Sequence, residues 1–140
     1  MFRKTLLLVF LSVIVFNGAI VSAENDKMVE LFDIEKNERI DTTPTNSNVQ
    51  LEAEKIIKAI DDVYKKFKPI PDKGYIIKIP LEPPYQLENQ WIHAVIDEVV
   101  ILIPEEGEPY LLLFDDENTP CFFTINTKIA SLLEILDFSL

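Results

Sequence analysis

The chain has a single cysteine, Cys121, so it cannot form a disulfide within itself. It has a single histidine, His93, and the two together are too few for the usual four-ligand zinc sites. They also exclude Cys–His nucleophile sets with spare members. Only three glycines occur, Gly18, Gly74 and Gly107, too few and too far apart for a glycine-rich phosphate cradle. No Gly-x-Ser-x-Gly elbow is present, and Ser131 falls within a helical pattern. Bases are scarce as well: 13 against 24 acids, a net charge of −11. A surface of that sign repels nucleic-acid backbones and anionic lipid, so neither is an expected partner.

What is present is a globular composition, 48% apolar and 26% charged. The first 23 residues read as a secretory signal peptide. Arg3 and Lys4 make a basic start, residues 5–16 an apolar run, and Val21-Ser22-Ala23 a small-residue cleavage site. The run is about a dozen residues, against the ~20 needed to span a bilayer, so no stable membrane insertion is expected after cleavage. The expected location is secreted or extracytoplasmic. The mature part, residues 24–140, then carries 11 bases against 24 acids, −13. It has no Asn-x-Ser/Thr sequon, and without a disulfide it must rely on its apolar core.

Residues 24–48 read as a poorly structured N-terminal segment or linker, in which residues 28–34 fit a short helix or strand and residues 36–48, with Pro44, are polar. Residues 49–140 read as one α+β domain. Val49, Ala53, Ile56, Ile60, Val63 and Phe67 recur at helical spacing, with lysines at the end of the stripe and Pro69 beyond it. Ser47 and Gln50 have capping-box spacing. Strands are predicted at 75–79, 98–103, 110–114 and 121–125, with turns at 105–109 and 115–120. The last three make an antiparallel meander. Trp91, Ile92, Val95 and Ile96 fit a short helix over 87–97, with His93 partly buried in it, while the β-branched content of 91–96 also fits a strand. Ile129, Leu132, Leu133, Leu136 and Leu140 predict a C-terminal helix capped by Asn126 or Thr127. The expected architecture is a mostly antiparallel sheet, the meander plus one or two further strands. An N-terminal amphipathic helix and a C-terminal helix pack against it.

Charge is unevenly placed. From Glu82 onward there are 12 acids and one base, Lys128. Meander geometry puts Glu105, Glu106 and Glu108 at one end of the sheet and Asp115, Asp116 and Glu117 at the other. These six are the candidate partner-binding residues, because dense acidic turns steer a basic protein surface. Asp97 and Glu98 fall near the second turn, so Asp97, Glu98, Asp115, Asp116 and Glu117 form a candidate calcium set. The Asp-x-Asp-x-Asp-Gly loop pattern is missing there. His93 is the sole candidate imidazole base, and no set of residues stands out as catalytic. The expected function is therefore a small exported acidic protein that binds another protein without catalysis and without a cofactor, as an inhibitor, immunity-type or accessory factor. The alternatives are a carboxylate-based calcium binder or a small secreted hydrolase.

Overall fold

The computed structural model of the chain describes residues 28–66, 68–138 and 140. The predicted signal peptide lies outside them, as does Phe67. The elements in order are β1 (Met28–Asp33), β2 (Glu38–Pro44), α1 (Ser47–Lys58), β3 (Ile60–Val63), β4 (Gly74–Glu88), β5 (His93–Pro104), β6 (Tyr110–Phe114), β7 (Pro120–Ile125) and α2 (Ala130–Leu136). The fold is a sheet-rich α+β one: seven antiparallel strands in the order β2-β1-β4-β5-β6-β7-β3, with two helices.

Four strands besides the β5–β6–β7 meander enter the sheet, more than the sequence pattern indicates. Two of them come from residues read as a linker. Val29 and Leu31 of β1 alternate into the core at 0% and 2% exposure. Their partner β2 is exposed along most of its length, so nothing apolar marks it in the sequence. An extra residue, Ile40, bulges out of β2 where the register slips between Leu31 and Phe32.

The first helical stripe is also cut short. Asn46, not Ser47, is the N-cap, its Oδ1 accepting the Val49 N–H at 2.9 Å. The helix ends at Lys58, and Ile60 and Val63 leave it to pair with Ile125 and Phe123 of β7. Both are β-branched residues that suit a half-buried strand, and cross-sheet pairing wins over the helical spacing. Residues 87–97 form no helix. The Asn89 side chain accepts the N–H groups of Trp91 and Ile92, both at 2.9 Å, and turns β4 into β5. The C-terminal helix begins after Ile129, with no side-chain cap from Asn126 or Thr127.

One core lies between the sheet and the helices. It gathers Val49, Ala53, Ile56 and Ile57 of α1 and Leu132 and Leu136 of α2 against Ile77, Ile79, Val99, Ile101, Leu111 and Phe123. The other face carries a smaller cluster, Val100, Leu102 and Tyr110, packed by Tyr64, Ile76, Leu112 and Phe122. The link from β3, at one edge, to β4, in the interior, supplies part of this cover. Tyr64 stacks on Tyr110 with ring centroids 3.8 Å apart. The Tyr64 N–H donates to the Phe122 carbonyl at 2.9 Å, and the Tyr110 hydroxyl donates to the Pro69 carbonyl.

Two local features hold β4 in place. Its ladder with β5 breaks between Pro80 and Tyr85, where residues 81–84 lie opposite Asp97 alone. The Gln50 carboxamide of α1 bridges the break, donating to the Pro80 carbonyl and accepting the Glu82 N–H, both at 2.9 Å. At the start of β4, Gly74 has φ +134°, and a Cβ there would stand 2.1 Å from the Ile103 carbonyl oxygen. Gly74→Ala is expected to cost about 3 kcal/mol or more, through backbone displacement. Gln50→Ala is expected to cost about 0.5–1.5 kcal/mol, by removing two hydrogen bonds from α1 to the β4 backbone. Urea titration with an unchanged m-value checks both.

Candidate functional site: two acidic turns and a cleft

The five-residue strand β6 separates two turns rich in carboxylates. At one end, Glu105, Glu106, Gly107 and Glu108 are all exposed. Gly107 supplies the positive φ, +110°, and the Glu105 N–H is anchored to the Lys73 carbonyl at 3.1 Å. At the other end Asp115 folds its own turn. Its Oδ1 accepts the N–H groups of Glu117 and Thr119 at 2.9 and 2.8 Å. Asn118 completes that turn with φ +63°. Asp116 reaches sideways, its Oδ1 accepting the Val95 N–H at 3.1 Å. That contact places the second turn beside the first half of β5, near Asp97 and Glu98.

Asp115 and Asp116 are taken up by backbone N–H groups, and Asp97 and Glu117 face solvent. Among the described residues no group of three or more His, Cys, Asp or Glu side chains is placed to hold a metal ion.

The single histidine sits differently from its sequence reading. Strand alternation turns Ala94 and Ile96 inward and His93 outward. Its Nε2 stands 3.3 Å from the Glu88 carboxylate across the β4–β5 pair, with both side chains largely exposed. Cys121 is half-buried on β7, its thiol donating weakly to the Thr119 carbonyl at 3.6 Å. Burial, and then the Asp115 charge, pushes the Cys121 thiol above its ordinary value. A thiolate is therefore disfavoured where a reactive cysteine would need one.

Among the described residues, the ion-paired lysines and Arg39 meet early acids. Arg39 meets Glu30, Lys55 meets Glu52, Lys65 meets Asp62, Lys68 meets Asp72 and Lys73 meets Glu35, at 2.6–3.5 Å. All five pairs lie at the surface, where solvent screening leaves each with little effect on stability. Their larger effect is on the field, since they neutralise the first half of the chain and leave the excess negative charge on the second.

A cleft of about 330 Å³ opens beside the first acidic turn, a feature the sequence pattern did not single out. Tyr75, Ile103, Pro104 and Leu140 give it an apolar lining, and Asp33, Glu35 and Glu105 bring carboxylates. The carboxylates come from two segments far apart in the chain, Asp33 and Glu35 from one and Glu105 from the other. Gly74, which also lines it, is the one sequence signal for the cleft, as a lone glycine opening an apolar strand.

No family model matches the chain, and comparison with curated proteins and with solved structures finds no match either. Among the described residues no helix is long and apolar enough to cross a membrane.

The raised Cys121 pKa fixes a pH dependence. The neutral thiol is the form the fold favours, so this stabilisation is complete below the unfolded pKa of about 8.5 and is lost as pH rises through the higher folded value. Alkylation by iodoacetamide is expected to be slow at neutral pH, with its midpoint displaced above that of a free thiol. A midpoint at or below the free-thiol value, followed by mass spectrometry, would contradict the assignment.

Proposed function

We propose that residues 24–140 act outside the cytoplasm as a non-catalytic factor that binds a basic protein, as an inhibitor, an immunity-type factor or an accessory subunit. The observation that carries this reading is the placement of charge. The acids from Glu82 onward outnumber bases by 12 to one, and five of them (Glu105, Glu106, Glu108, Asp116 and Glu117) stand exposed on two turns. Clustered exposed carboxylates raise the encounter rate with a cationic surface. The exposed histidine and the raised thiol pKa both weigh against a catalytic alternative.

Distance decides how the two turns act. A five-residue strand spans roughly 17 Å, about twice the ~8 Å Debye length at physiological ionic strength. The turns therefore work as two separate poles, and a small partner engages one at a time. The Glu105–Glu108 pole has the cleft beside it and is the stronger candidate for a specific contact.

The test immobilises residues 24–140 and passes culture supernatant or envelope extract over them at low and high salt. A retained basic protein that elutes as salt rises is the expected result. Replacing Glu105, Glu106 and Glu108 together with Gln is expected to slow association about tenfold without lowering the melting temperature. Retention that ignores both salt and these substitutions would count against the reading.

A further inference from the structure

We draw no further inference here: the strongest candidate, the exposed outer edge of β2 at the end of the sheet, carries nothing, because the bulge at Ile40, the Asp41 carboxylate accepting the Thr42 N–H at 2.8 Å and Pro44 blunt it against strand pairing, and nothing in the structure shows what would cover it.

Discussion

Strand β5 has no side that tolerates water between Val99 and Leu102. Val99 and Ile101 face the helices, Val100 and Leu102 face the other way, and all four are at most 4% exposed. A strand of that kind needs a layer on each face, and no disulfide is present to substitute for one. The two helices cover one side. On the other, the chain between β3 and β4 lies over the sheet, fastened by the Tyr64–Tyr110 stack and the Tyr110 hydroxyl. That second cover also sets the ends of β4. Its last residue, Lys73, anchors the Glu105 turn, and the next, Gly74, forms the base of the cleft. The core requirement and the candidate site therefore share one piece of backbone.

Charge is arranged around this core and contributes little to holding it together. The exposed ion pairs of the first half are each too weak to matter much for stability. They cancel local charge, so the sheet has a nearly neutral side at β1 and β2 and an acidic side at the β5–β6 and β6–β7 turns. Asp115 and Asp116 show that an acidic turn can be structural and charged at once. One folds the turn, and the other supplies an acceptor to β5 where β6 has ended. Among the described residues, the Glu105 turn spends none of its carboxylates in backbone hydrogen bonds of this kind.

The meander was legible because Gly107, Pro109, Asn118 and Pro120 punctuate apolar runs of strand length. Other parts were not, for identifiable reasons. Ile60 and Val63 fit the helical spacing as well as a strand, and only pairing with β7, some sixty residues later, decides between them. β2 shows no alternation because it has almost no buried side. Residues 91–96 carry apolar spacing compatible with a helix, and the Asn89 turn that makes them a strand depends on one side-chain oxygen. His93 followed that error, since its neighbours suggest burial only if they form a helix. Both acidic turns were visible in the sequence. The cleft was not, because Asp33, Glu35 and Glu105 meet only through tertiary register.

The pairing of Ile60 with Ile125 also bears on how the chain comes into being. A polypeptide leaving a ribosome or a translocation pore N-terminus first exposes β3 and the overlying link long before their partners exist. Neither can be completed until residues 120–125 have emerged, so the early half travels without its final neighbours. Contacts this distant in sequence also slow folding by their loop-closure entropy. The register thus delays the finished structure until nearly the whole chain is out.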